Sequence, residues 1–158
     1  MMGRWRVIGG LLRWLDLPPV WLAGCAALAW GQAQLLPSGG WGAWAGWLGY
    51  ALIGLGLLIA VEASYEILRQ HTTIIPGRTP SALVEGGVYR ISRNPIYLGD
   101  AMILAGLSLH WEAVAGLLLV PAFMALIQKR FILGEEIRIR AEFGAAYDAY
   151  AARVRRWL

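Results

Sequence analysis

The stretch Trp41–Val61, WGAWAGWLGYALIGLGLLIAV, carries no charged side chain over about 20 residues. At ~1.5 Å per helical residue it can cross a ~30 Å hydrocarbon core. A second uncharged stretch, Leu17–Leu36, precedes it, and only Pro37-Ser38-Gly39-Gly40 lies between them. The two therefore read as a helical hairpin. The composition supports this: 58% of the residues are hydrophobic and 15% are charged, with a mean hydropathy of +0.53, which is not the balance of a water-soluble domain. The first stretch follows Arg4, Arg6 and Arg13, as a signal peptide would. Its length, its tryptophans and the second span close behind it indicate a retained anchor. Cys25, the only cysteine, lies inside that anchor, where no internal disulfide or cysteine zinc site can form. It reads as a small apolar side chain.

Charge placement sets the orientation. No Lys or Arg occurs between Arg13 and Arg69, or between Arg93 and Lys129. Basic residues flank membrane spans on the cytoplasmic side, so both ends of the first hairpin are expected there, with Trp41, Trp44 and Trp47 at the opposite interface. The net charge of +4 is explained by this topology, and nucleic acid is not an expected partner.

Beyond Val61 the second helix is expected to run past Glu62 and Glu66 to about Gln70. His71–Arg93 is loop-like, with Pro76-Gly77, Pro80 and Gly86-Gly87, yet it also carries Leu83, Val84, Val88, Tyr89 and Ile91. A long loop with that many apolar residues reads as an ordered binding loop. RNPIYLG, Arg93–Gly99, then opens an apolar run. Asn94 suits an N-cap and Pro95 the first helical position, while the free N–H groups of such a terminus also suit an anion. Two short apolar segments follow, Ile96–Leu109 and Ala113–Gln128, which predict a tight transmembrane hairpin. Asp100 falls in the first turns of this hairpin and is expected to face a polar cavity. Leu133–Leu158 predicts an amphipathic helix, with Ile137, Ala141, Gly144, Tyr147, Ala151, Val154 and Leu158 on one stripe. A helix lying on anionic lipid would have that pattern too, but the acidic pair Glu135-Glu136 at the membrane boundary does not fit it.

Three pieces in this order, SALVEGGVYRISRNPIYLG (Ser81–Gly99), a hydrophobic hairpin, and EEIRIRAEFGAAYDAYAARVRRW (Glu135–Trp157), resemble the isoprenylcysteine carboxyl methyltransferase and phospholipid methyltransferase superfamily of integral-membrane enzymes. The resemblance covers about Thr72 to Leu158; the first two spans match only in character. It implies an all-α, polytopic protein of about four transmembrane helices, in which a cytoplasmic loop and the C-terminal helix cap a pocket for S-adenosylmethionine. On that basis the chain is one domain, residues 1–158, made of an N-terminal hairpin (1–70) and a cofactor-binding part (71–158). The implied location is a bacterial inner membrane, with termini and active site cytoplasmic.

Carried over by residue, the resemblance implies cofactor contacts from Ser81, Ala82, Leu83, Val84, Tyr89, Asn94, Pro95, Ile96, Tyr97 and Glu135. Asn94 stands where the family usually has His, so imidazole acid–base chemistry is excluded there, although Asn keeps a donor and an acceptor. Glu135 suits the ammonium or a ribose hydroxyl of the cofactor. Arg130, close to the glutamate pair, is the expected catalytic partner of Glu135 for orienting an anionic acceptor. The family's substrate-associated arginine aligns with Phe131, one position away, and Arg90 and Arg93 are the alternatives. No glycine-rich fingerprint follows a strand, which removes a Rossmann-type methyltransferase. His71 and His110 are isolated, so no metal is expected. The implied acceptor is lipidic or amphipathic, either a prenylcysteine-type carboxylate or a phospholipid amine, drawn from among membrane lipids. The competing expectation is a non-catalytic membrane accessory protein that keeps the fold.

Overall fold

The computed structural model describes residues 16–36, 40–72 and 80–158. The arginines at 4, 6 and 13, residues 37–39 between the first two apolar stretches, and Pro76, Gly77 and Arg78 lie outside the described residues. The order is α1 (Pro18–Leu35), α2 (Ala43–Arg69), a 3₁₀ turn (Gly87–Arg90), α3 (Pro95–His110), α4 (Val114–Ile127), a π turn (Gln128–Ile132), α5 (Leu133–Phe143) and α6 (Ala145–Arg153). No strand occurs among the described residues. The expected all-helical class is observed.

Prolines start two of the helices at positions where a missing N–H costs nothing: Pro18 in α1 and Pro95 in α3. Gly144, at φ 51°, separates α5 from α6 in a conformation that L side chains resist. The principal pairing is α2 against α3, and glycines account for it. A Cβ on Gly49 would lie 2.6 Å from the Gly106 carbonyl oxygen, and one on Gly56 the same distance from the Gly99 carbonyl oxygen. The reciprocal positions on Gly99 and Gly106 are as tight, at 2.5 Å. Two backbones touch directly along this seam, the close approach that small residues allow between apolar helices. A second core forms where α3 meets the α4–π region: Leu104, Phe123, Ile127 and Ile132 are fully buried, and Trp21 and Cys25 of α1 pack against them. Trp44, Trp47, Leu55, Leu57, Leu58 and Val61 point outward along α2. That outward apolar surface matches a lipid environment.

The structure differs from the sequence reading in three respects. Two helical stretches, rather than four, are long and apolar enough to cross a membrane: Ala43–Arg69, 27 residues, and the unbroken run Val114–Phe143, 30 residues. Helix α1 has 18 residues and α3 has 16, short of the ~20 that span a bilayer upright. Second, Leu133–Leu158 is not one amphipathic helix. Its first part continues α4 through the π turn, Gly144 breaks it, and Ile137, assigned to the same stripe as Tyr147 and Val154, is 71% exposed while those two are buried. Third, in the described part of the loop before α3, Tyr89 of the 3₁₀ turn is buried with Val84 and Val88 packed beside it, but Ile91, expected to want burial, is exposed.

Candidate active site

The loop before α3, the start of α3 and helices α5 and α6 meet around a cavity of about 450 Å³, within the ~300–1,000 Å³ range of small-molecule sites. Its floor is the first two turns of α3, with Asn94, Pro95, Ile96, Tyr97 and Asp100. The loop supplies Ala82, Leu83, Val84 and Tyr89, and α5 supplies Glu135, Glu136, Arg138 and Ile139. Tyr147 and Tyr150 close it from α6, while Leu17, Pro18 and Pro19 form an apolar lip from the start of α1.

Every expected cofactor residue except Ser81 therefore lines one cavity. Ser81 is exposed and serves as a clasp: its N–H donates to Thr72 Oγ1 at 2.8 Å and its hydroxyl to the His71 carbonyl at 3.2 Å. That clasp ties the loop at Ser81 back to the residues that follow α2 and leaves Ala82–Val84 facing inward. Arg130 is also placed elsewhere. It sits in the π turn, half-exposed, and grips Asp16 through two hydrogen bonds of 2.5 and 2.9 Å while stacking over Trp21. Its hydrogen bonds hold the Asp16 carboxyl below the usual range. The role of orienting an acceptor, expected of Arg130, has no support in this position. The cavity's arginines are Arg93 and Arg138.

The adjacent glutamates have different partners. The Tyr97 hydroxyl donates to Glu135 at 3.0 Å. Glu136 accepts from Arg156 at 2.9 and 2.7 Å and pairs with Arg93 at 3.1 Å, all largely shielded from water. Asn94 occupies the N-cap position of α3 but makes no side-chain cap. Its Nδ2 donates instead to the Arg156 carbonyl at 3.0 Å, and the Ser92 hydroxyl and Arg93 N–H donate to the Arg156 and Arg155 carbonyls. Residues after α6 are thereby strapped across the start of α3, with Trp157 Nε1 donating to Gln128 of the π turn at 3.0 Å. Sequence reasoning missed this strap because its bonds to α3 are between backbone carbonyls and side chains some 60 residues apart. It also missed the two tyrosines. Tyr147 lies under the Arg93 and Arg140 guanidiniums, and the Tyr150 hydroxyl donates to the Tyr89 carbonyl at 2.8 Å. Burial pushes both phenols above their ordinary range.

Three features of the wall remain available to a ligand. Arg93 Nε and Arg138 Nε are buried donors without a hydrogen-bond partner. Asn94 Oδ1 and the Asp100 carboxylate have no partner among the described residues. Leu83, Val84 and Ile139 offer an apolar slot between them. No cluster of metal-ligating side chains is found among the described residues.

The described helices thus gather a largely apolar cavity, with a few polar side chains in its wall, where α2 ends and α3 begins. Residues 44–146 match the phospholipid methyltransferase family model, about two thirds of the chain, and the chain belongs to that family, part of the isoprenylcysteine carboxyl and phospholipid methyltransferase superfamily. The match begins within α2, so the similarity extends further toward the N-terminus than the motifs alone indicated. No curated protein and no solved structure matches the chain.

Proposed function

We propose that the protein is an S-adenosylmethionine-dependent methyltransferase acting on a lipidic acceptor at the cytoplasmic membrane face. The observation that carries this reading is the single cavity lined by Ala82–Val84, Tyr89, Asn94–Tyr97 and Glu135 in a chain of the phospholipid methyltransferase family. The residues fit the cofactor. Two buried guanidinium N–H groups lack acceptors, which suits a carboxylate. Glu135 accepts a hydrogen bond from the Tyr97 phenol alone, with Arg138 close enough to act on its charge, and suits an ammonium or a ribose hydroxyl. The slot of Leu83, Val84 and Ile139 suits an adenine. The cofactor brings an already activated methyl group, so the chain's own task is to align the reactants and exclude water. The strap after α6 and the Tyr147–Tyr150 pair seal the cytoplasmic side, and the Leu17–Pro19 lip borders the side from which a lipid would arrive.

In this reading α1 to α4 each cross the bilayer, α1 and α3 tilting or thinning it locally, with both chain ends cytoplasmic. The alternative is an accessory protein that keeps the fold without chemistry. The use of the Asn94 amide as a tie to Arg156 favours it, since that position then serves structure. Calorimetric titration of the purified protein with S-adenosylmethionine, followed by labelled-methyl transfer to phospholipid micelles, separates the two. Saturable heat with transfer supports the enzyme, whereas an absence of heat leaves the accessory role.

A further inference from the structure

We propose that Asp100 binds the ammonium group of an amine-bearing lipid acceptor and takes the proton that must leave before the nitrogen can attack. This rests on the methyl-transfer reading above and assigns the residue that makes an amine reactive at that site. Asp100 lies one turn beyond Tyr97 in α3 and lines the same cavity. Among the described residues its carboxylate has no hydrogen bond and no ion pair. The other carboxylates of the wall are accounted for: Glu135 accepts from Tyr97 and is assigned to the cofactor above, and Glu136 is paired with Arg93 and Arg156. An unpaired carboxylate inside an otherwise apolar helix costs stability, and residues of this kind in membrane segments serve function. The fold makes no use of it, so the missing counter-ion is sought in the ligand.

The chemistry has a matching need. A lipid amine is protonated at neutral pH and its lone pair is then unavailable. The Asp100 carboxylate accepts one proton from the ammonium, leaving a neutral amine beside a carboxylic acid. The nitrogen lone pair forms the N–C bond as the carbon–sulfur bond of a sulfonium methyl donor breaks, its electrons passing to sulfur. The positive charge moves from sulfur to the methylated ammonium, and Asp100 later releases its proton to solvent. A carboxylate acceptor needs no such step and would meet Asp100 and Glu135 as like charges.

The test compares the wild-type protein, Asp100→Asn and Asp100→Glu in detergent micelles containing phosphatidylethanolamine, with labelled S-adenosylmethionine. A second acceptor carries fluorine beside the amine, so that its nitrogen is already neutral at the assay pH. Asp100→Asn should lower turnover of the ordinary lipid by ~10²–10⁴-fold, the usual worth of a positioned base. Cofactor affinity should be unchanged, and the unfolding temperature equal or higher because an unpaired charge has gone. Asp100→Glu should restore part of the rate, and the defect should shrink markedly with the fluorinated lipid. Near-wild-type turnover in Asp100→Asn overturns the proposal. So does a parallel loss of cofactor binding, a defect of equal size with both lipids, or failure of Asp100→Asn to fold, since each assigns the residue another role. A wild-type protein that binds cofactor but methylates only carboxylates overturns this inference alone. One that binds no cofactor overturns the methyltransferase reading itself and this inference with it.

Discussion

Glu135 receives one hydroxyl, from Tyr97, whereas Glu136 is held by the guanidiniums of Arg93 and Arg156. The two are neighbours of equal charge, and the same substitution should therefore give opposite phenotypes. Glu135→Gln keeps a hydrogen-bond acceptor for Tyr97 but removes the charge offered to the cavity. We expect cofactor affinity to fall by roughly tenfold to a hundredfold, the ~1.5–3 kcal/mol of a charge-assisted hydrogen bond, with thermal unfolding unchanged. Glu136→Gln leaves Arg93 without its counter-ion in a largely shielded site. Stability should drop, toward the lower end of the ~3–5 kcal/mol seen for fully buried pairs because Arg156 is about a third exposed. Titration and unfolding of both variants check this, and matching effects in the two would contradict the division. At this scale the sequence was informative where chemistry is local. Apolar Leu83, Val84 and Tyr89 in a loop pointed to burial, and the cavity is where they went. It misplaced Arg130 because proximity in sequence to Glu135 says nothing of which side of a helix faces the cavity. It misread Asn94 because a cap and a long-range tie require the same amide.

Helix α2 pairs with α3 through glycines seven apart in each, Gly49 and Gly56 facing Gly106 and Gly99. The equal spacing was present in the sequence, but only the structure shows that it faces inward: Gly46 and Gly54, on the same helix, have nothing within 4 Å of an added Cβ. Two alanine substitutions in α2 should thus behave differently. Gly54→Ala should be neutral or stabilising by up to ~1 kcal/mol, through helix propensity. Gly56→Ala forces a methyl onto the Gly99 carbonyl and should cost ~1–3 kcal/mol, as overpacking does. It should also weaken cofactor binding, since Gly99 belongs to the same helix as Asn94–Tyr97. Equal melting temperatures for the two variants would show that the seam is looser than the geometry indicates. The amphipathic reading of Leu133–Leu158 failed at this scale for a related reason. A stripe of period three to four assumes one helix, and Gly144 with the preceding π turn divides it into pieces of different phase.

For the whole molecule, the charge asymmetry and the four-helix arrangement together predict that residues near 38 and near 155 lie on opposite sides of the membrane. In a Cys25→Ala background, Ser38→Cys and Arg155→Cys should be labelled by a membrane-impermeant thiol reagent from opposite faces; labelling of both from one face would rule out four crossings. The helical class and the membrane setting were legible because composition and charge gaps are properties of the whole chain. The number of helices long enough to cross was not. The apolar runs gave four segments, whereas the structure merges the last with the C-terminal segment and leaves α1 and α3, at 18 and 16 residues, short of an upright span.

The π turn at Gln128–Ile132 is, in effect, an inserted residue that the helix has absorbed without breaking. Its consequence concerns changes of length more than substitutions. Removing one residue between 128 and 132 would restore regular α-helical winding and keep everything downstream near its present angular phase, whereas adding a residue at 133 or 134 would rotate the rest by ~100°. Glu135, Glu136, Arg138 and Ile139 would turn together, and with them the anchor for Arg156. Insertion of a single codon at 133 or 134 should abolish cofactor binding while leaving helicity by circular dichroism intact, whereas loss of one codon between 128 and 132, or replacing Phe131 by Leu, should leave both far less changed. The angular phase of the catalytic end is thus encoded by residue number rather than by residue type.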